Sequence, residues 1–454
     1  MALRTLLVIP IAPPPSDLVL VLDSDPNPTN FYARLIRNQR FAAIPSFRLE
    51  SGEVLSDCPV AYKTWGKLNG RGDNVLVICH ALTGSSDVSD WWNPLIGPGK
   101  VFDPRHFFIF CGNVFGSPYG SASPLTINPD TGRPFASEFP QTTVRDDVKA
   151  HKLVLDALGV KSIAAVVGGS MGGMATLEWP LCTPPGFVRN ITPIATAADH
   201  SAWGISWAET QRQCIYSDPK FDDGYYDPTP EGQPSAGLAA ARMIAMLTYR
   251  SCTSFDSRFG RKPSRPPSMP KEPPLDLPRT DVPPMETQSR GKSLVARQTR
   301  DPSFSAQGYL HYQGEKFIKR FDANCYLHIT NKMDSHDVAY GRTQRSGDDG
   351  LAEVLSNVPS GALVIGVETD ALFLPEQQRR LAAHLPGASL SILKSSDGHD
   401  GFLLEFEQLD GLIQSQLRLK LPDLYNVAND SEESLNPDTN TPAEESLTGE
   451  LESW

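Results

Sequence analysis

Short apolar runs, each closed by glycine or a polar loop, alternate along this chain with stretches of helical spacing. Residues 47–62 (FRLESGEVLSDCPVAY) alternate apolar and polar around Ser51-Gly52, which predicts a hairpin. NVLVIC at 74–79 and FFIFC at 107–111 are continuous apolar runs of the kind that form buried strands. They end at His80-Ala81-Leu82-Thr83-Gly84 and at Gly112-Asn113. Val144, Val148, Leu153, Leu155 and Leu158 recur at helical spacing after Thr143, and Gly159 stops that helix. A strand at 163–167 runs into Gly168-Gly169-Ser170-Met171-Gly172-Gly173 and then a helix. Another strand is predicted at 191–195. From 196 to 256 the pattern is mostly helical, and helical spacing resumes from 304 to about 333. Strands return at 362–367 (ALVIGV) and 390–393, before a closing helix over 401–419. Strands that alternate with helices, and are apolar throughout, predict an α/β chain: a mostly parallel sheet with helices on both faces, interrupted by a helical insertion and then resumed.

The expected organisation is a disordered leader at 1–35, a first part of the core at 36–195 and a helical lid insertion at 196–345. The second part of the core follows at 346–421 and an acidic disordered tail at 422–454. Within the insertion, residues 262–303 are rich in Pro, Arg and Ser, too poor in apolar side chains to offset their ordering entropy, and are read as a disordered loop. At 454 residues the chain is long enough for a large core with insertions. Its net charge of -12, from 41 Lys+Arg against 53 Asp+Glu, argues against nucleic acid or an anionic membrane as partner. The 7 cysteines are odd in number and form no CxxC pair, so neither a disulfide framework nor a zinc ribbon is expected, and no metal. One arginine precedes a short apolar run at the N-terminus, as in a signal peptide, but Pro10 and Pro13 to Pro15 break that run and no clean cleavage site follows. The expected compartment is the cytoplasm.

Gly168-x-Ser170-x-Gly172 between a strand and a helix is the pattern of a nucleophile elbow, the turn that presents the serine of α/β-hydrolases. Residues two before and two after the serine must be very small for so tight a turn. The helix behind it offers positive partial charge and the Met171 N–H to an oxyanion. The competing reading is a glycine-rich turn of a dinucleotide-binding fold; the flanking strand and helix favour the elbow. A serine needs a base and the base an orienting acid, in the chain order Ser, Asp, His. Asp370 follows the strand ALVIGV, and His399 stands in the loop before the closing helix. His336 is the alternative base; Glu368 and Asp397 are the rival acids. The second oxyanion donor should come from the loop after NVLVIC, with the Leu82 N–H as candidate.

Longer motifs then carry a resemblance. GGSMGGM, HALTGSSDVSDWW, GNVFGSPYGSASPLT, ETQRQCIYSDP, GLAAARMIAMLTYRS, YLHYQGEKFIKRFDANCYL and GHDGFLLE, in that family's order over roughly residues 38–261 and 304–420, resemble the homoserine O-acetyltransferases, in particular their fungal branch. The resemblance implies an α/β-hydrolase fold and transfer of acetyl from acetyl-CoA to the hydroxyl of L-homoserine, a step of methionine biosynthesis. Acetyl-CoA would be a cosubstrate, with no permanently bound cofactor, and the family is commonly dimeric through its helical region, so a homodimer is expected. Nucleophile, acid and base fall on Ser170, Asp370 and His399, the three reached from the residues. The resemblance further implies Arg242 as the group that holds the substrate carboxylate, Tyr249 as a wall of the same pocket and Asp400 as the partner of the substrate amine.

Two departures stand out. Pro180 should end or kink the elbow helix early, weakening the platform under Ser170. Asp199 stands where relatives carry a basic residue, which would alter the pocket rim. Acetyl transfer to L-serine or a cephalosporin precursor, or plain ester hydrolysis, are the alternative activities; a scaffold protein without activity is disfavoured by the intact Ser-Asp-His set.

Overall fold

The structure, a computed structural model, describes residues 19–264 and 304–425. In chain order the strands are β1 (Leu20–Leu22), β2 (Arg40–Arg48), β3 (Val54–Trp65), β4 (Val75–Cys79), β5 (Phe108–Gly112), β6 (Ile163–Gly169), β7 (Ile191–Ile194), β8 (Leu363–Val367) and β9 (Ser389–Leu393). They form one sheet in the order β1-β2-β3-β5-β4-β6-β7-β8-β9. Pairing is antiparallel from β1 through β3 to β5 and parallel from β5 to β9. The predicted hairpin is β2–β3; it turns at Gly52, whose φ of 93° suits glycine, with Leu49 N–H donating to the Glu53 carbonyl at 2.9 Å.

The helices are α1 (Val88–Trp91), α2 (Val144–Ala157), α3 (Met171–Leu181), α4 (Ala202–Tyr216), α5 (Ser235–Tyr249), α6 (Cys252–Arg258), α7 (Ser305–Phe317), α8 (Ala323–Asp334), α9 (Gly347–Leu355), α10 (Pro375–His384), α11 (Gly401–Leu404), α12 (Phe406–Lys420) and α13 (Pro422–Tyr425). Strand β4 shows why both sheet faces are covered. Val75, Val77 and Cys79 point into a core shared with α2 and α3, whereas Leu76 and Ile78 point into one shared with Trp92, Phe402 and Leu409. Helix α2 starts where the sequence predicts: the Thr143 and Asp146 side chains each accept a hydrogen bond from the other's backbone N–H, at 3.2 and 2.9 Å respectively. Between β7 and β8 the chain leaves the sheet and runs through helices α4 to α9; α4 packs on α5 and α8, and α5 on α7.

Several expectations need correction. The leader reading fails for residues 19–35: β1 pairs with β2, and Tyr32 and Ala33 are buried because Asn30 ties their N–H groups and reaches the Pro118 carbonyl. The closing helix is two helices, broken at Glu405, where ψ is 56°. The tail reading fails for its first residues, since α13 buries Leu424 and lays Tyr425 on His106 and Phe107. Of the Pro-rich segment, residues 265–303 lie outside the described residues, as do 1–18 and 426–454. Its ends meet: Pro263 bridges Phe304, and Ser305 N–H donates to the Lys262 carbonyl at 2.9 Å. No helix among the described residues is long and apolar enough to cross a membrane, and no group of three or more acidic, His or Cys side chains there could hold a metal ion.

Candidate active site

Ser170 stands between β6 and α3 with φ 57° and ψ −124°, a left-handed backbone that β-carbon-bearing residues rarely adopt. The glycines two residues away are there for space. A Cβ at Gly168 would overlap the Gly172 carbonyl, and one at Gly172 would overlap the Cys79 carbonyl at the end of β4. The turn is held by the Gly173 and Met174 N–H groups, both donating to the Ser170 carbonyl, at 2.9 and 3.2 Å. Pro180 sits in the last turn of α3, which closes at Leu181, far from this first turn. The platform under Ser170 is therefore intact, contrary to the expectation drawn from that proline.

His399 Nε2 lies 2.8 Å from Ser170 Oγ, and its Nδ1 lies 2.7 Å from Asp370 Oδ2. The other Asp370 oxygen accepts the Leu372 and Phe373 N–H groups, both at 2.9 Å, which fixes the carboxylate without a counter-charge. The imidazole is buried, stacked on Phe373 and edge-on to Phe402. Burial disfavours its charged form, but the Asp370 charge and hydrogen bond, with Asp400 beyond, outweigh that and raise its pKa above the ordinary histidine value. This chain of hydrogen bonds can carry a proton from the hydroxyl to the ring while the carboxylate stabilises the cation. Of the rivals, Glu368 is exposed. Asp397 is engaged by Arg250 and Ser254, and His336 is buried away from Ser170 with its pKa pushed down to about 4 by burial.

Ser170 and His399 line a cavity of about 290 Å³, at the small end for ligand pockets. Ala81, Leu82 and Thr83 border it on the side of β4, and Met171 opens α3, where its N–H has no acceptor within the helix. Arg242, on α5, lines the cavity while buried. Its guanidinium lies over the Phe317 ring at 4.8 Å and the Tyr249 ring at 5.5 Å, and its Nε and Nη1 have no hydrogen-bond partner among the described residues. A buried cation with unused donors is suited to an anionic ligand. Asp400 also lines the cavity, but Arg250 Nε already sits 2.7 Å from its Oδ2. Burial raises the Asp400 pKa; Arg250, His399 and Arg242 oppose that. Asp199 is not at the rim: Arg380 holds both its oxygens at 2.9 Å on the surface, so the expected effect on the pocket is absent.

Sequence reasoning missed two groups. Arg250, directly after Tyr249, holds Asp400 and Asp397. His200, in the loop between β7 and α4, lines the cavity, sits 3.2 Å from Asp334 and stacks on the same Phe373 ring that carries His399. Its place in the loop that follows β7 was the available signal for His200.

A serine on a strand-to-helix elbow, with acid and base delivered from the ends of β8 and β9, defines an α/β-hydrolase, and the family model described as alpha/beta hydrolase fold matches residues 74–406. Two solved structures with that architecture, esterase E22 and the homoserine O-acetyltransferase of Bacillus anthracis, each reach a TM-score of 0.68, at 24% and 22% identity. Both cover 84% of this chain, and 99% and 97% of their own; at such identities the likeness speaks for the fold alone. Sequence separates what the fold does not. A homoserine O-acetyltransferase of Cryptococcus neoformans var. grubii is 48% identical, covering 89% of this chain and 93% of its own. The chain belongs to the homoserine O-acetyltransferase family.

Proposed function

We propose that the chain transfers acetyl from acetyl-CoA to the hydroxyl of L-homoserine through an acetyl-Ser170 intermediate, the activity that serves methionine biosynthesis. The observation that carries this reading is the hydrogen-bonded Ser170–His399–Asp370 chain opening on the same cavity as Arg242, whose Nε and Nη1 have no hydrogen-bond partner among the described residues. In the first half-reaction Ser170 Oγ attacks the thioester carbonyl and gives its proton to His399 Nε2. The Leu82 and Met171 N–H groups hold the oxyanion, the C–S bond breaks, and the CoA sulfur leaves with that proton. In the second, His399 takes the homoserine hydroxyl proton, the alkoxide attacks the acetyl carbonyl, and Ser170 recovers its proton as O-acetylhomoserine departs. Arg242 holds the acceptor carboxylate, Tyr249 walls that pocket, and Asp400 meets the ammonium with the oxygen Arg250 leaves free. Acetyl-CoA is a cosubstrate, and no resident cofactor takes part in these steps.

Intact-mass spectra after exposure to acetyl-CoA test the reading. Wild type should gain one acetyl group and lose it on addition of homoserine; Ser170→Ala should gain none. Equal labelling of both overturns the nucleophile assignment. Acetate released at one rate with and without homoserine would make the protein an esterase. We assign the cytoplasm as the compartment, on the seven unpaired thiols. A homodimer through the helical region fits the exposed Trp203, Tyr216 and Leu247, and light scattering at micromolar protein tests it.

A further inference from the structure

His80 directly follows β4, the strand that leads to the proposed oxyanion loop, and it is 1% exposed and does not line the cavity of Ser170. Both of its ring nitrogens are used. Val114 N–H donates to Nε2 at 3.1 Å, so that nitrogen is bare and the ring proton sits on Nδ1. Nδ1 lies 2.8 Å from the Ala81 carbonyl and donates to it. Burial, opposed by that bond and aided by the Lys332 charge, lowers the His80 pKa to about 4, so the ring is neutral at neutral pH.

The Ala81 carbonyl and the Leu82 N–H belong to one peptide plane and point to opposite sides of it. A bond that pins the carbonyl therefore aims the N–H. Gly84 N–H also donates to the Ala81 carbonyl, at 3.0 Å, so that oxygen is held from two directions. The anchor of the imidazole is fixed in turn. Phe115, next to Val114, gives its N–H to Asp147 Oδ1 at 2.8 Å and takes a bond from Lys332 Nζ on its carbonyl at 2.7 Å. Asp147 and Lys332 form a buried ion pair at 2.7 Å, one from α2 and the other from α8 of the helical excursion. The chain of contacts runs by hydrogen bonds from the ion pair to Phe115, along the backbone to Val114, and by hydrogen bonds again to His80 and the Ala81 carbonyl; of these residues only Ala81 is partly exposed.

We propose that His80 is a positioning residue for the acylation step: a neutral imidazole that aims the Leu82 N–H at the oxyanion by holding the Ala81 carbonyl, braced from behind by the Asp147–Lys332 pair. This rests on the reading of Leu82 as an oxyanion donor.

Two substitutions separate aim from bulk stability. Asparagine places an amide N–H where Nδ1 stands and keeps the Ala81 bond, losing the Val114 one. Glutamine reaches the Nε2 position and keeps the Val114 bond, losing the Ala81 one. Each gives up one buried hydrogen bond, so loss of stability alone would affect them alike. Single-turnover CoA release should fall about 10- to 100-fold in His80→Gln, short of the roughly 100- to 1,000-fold known for outright removal of an oxyanion donor. His80→Asn should stay within about fivefold of wild type, and the homoserine KM should barely move in either. Equal loss in both variants, or loss in neither, overturns the role of His80. Crystals of wild type with a methylphosphonate on Ser170 test the underlying reading separately. A phosphonyl oxygen bonded to Leu82 N–H upholds it, and one bonded elsewhere removes it whatever the His80 variants do.

Discussion

Arg242 is a guanidinium that the fold has buried and left incomplete, with Nε and Nη1 lacking a hydrogen-bond partner among the described residues and aromatic rings of Tyr249 and Phe317 against it. Arg242→Ala should remove a charge-assisted contact worth about 1.5–3 kcal/mol, raising the homoserine KM about 10- to 100-fold. The burst of CoA release without homoserine should persist, because that half-reaction contains no acceptor; stopped-flow thiol detection reads both. A lost burst would mean that Arg242 serves the thioester half instead. Residues of this kind differ in how far the sequence exposes them. Ser170, Asp370 and His399 each follow a strand at a loop whose position the apolar runs mark, so their convergence was legible. Arg250 and His200 reach the cavity only because the helical excursion folds back over the sheet, and no period along the chain encodes that return. Asp199 shows the converse: a departure from the family pattern drew attention to a residue that the fold places on the surface beside Arg380.

Among elements, α3 carries the serine at one end and Glu178 near the other. Glu178 is fully buried, with Arg342 on both oxygens at 3.0 and 2.6 Å and Arg145 at 3.2 Å; Arg145 also holds the Asp337 and Tyr340 carbonyls. The elbow helix is thus tied to the segment that leaves α8. Burial would raise the Glu178 pKa, but Arg342 and Arg145 outweigh it and hold the carboxyl below its usual value. Removing the carboxylate leaves two guanidinium groups facing an empty site. Glu178→Ala should cost about 3–5 kcal/mol, read as a lowered melting temperature, while the protein that remains folded still acetylates Ser170. An unchanged melting temperature would show that water replaces the carboxylate. The elements legible in sequence were those with a strong local signature, such as β4 and β6 as unbroken apolar runs and α2 with its Thr143–Asp146 cap. The edge strand β1 has only three residues and exists through pairing with β2. The break at Glu405 interrupts a run whose apolar spacing continues on both sides, so spacing alone could not mark it.

For the molecule as a whole, the sheet gathers residues from distant parts of the chain, and the helical excursion between β7 and β8 supplies most of the cavity wall. The sequence pattern showed that the sheet is interrupted and resumed; it did not show how the excursion's helices pack, which depends on contacts such as α4 on α5 and α8. Where residues 265–303 depart, the chain is already closed by the Pro263–Phe304 bridge and the Ser305–Lys262 bond, with Arg261 over the Phe304 ring. Replacing 265–303 with a short Gly/Ser linker should therefore leave homoserine turnover within about threefold, since loop-closure entropy changes slowly with length. Loss of turnover would assign those residues to the site. Ser170 holds a φ of 57° in the folded chain. The folded state therefore carries a standing handicap, about 1–3 kcal/mol for such a backbone, at the one residue the chemistry requires. A descendant of this chain that no longer needed the reaction could place glycine there, relax the turn and shed that handicap. Within such a lineage, loss of the enzyme and relief of its strain would arrive in a single step.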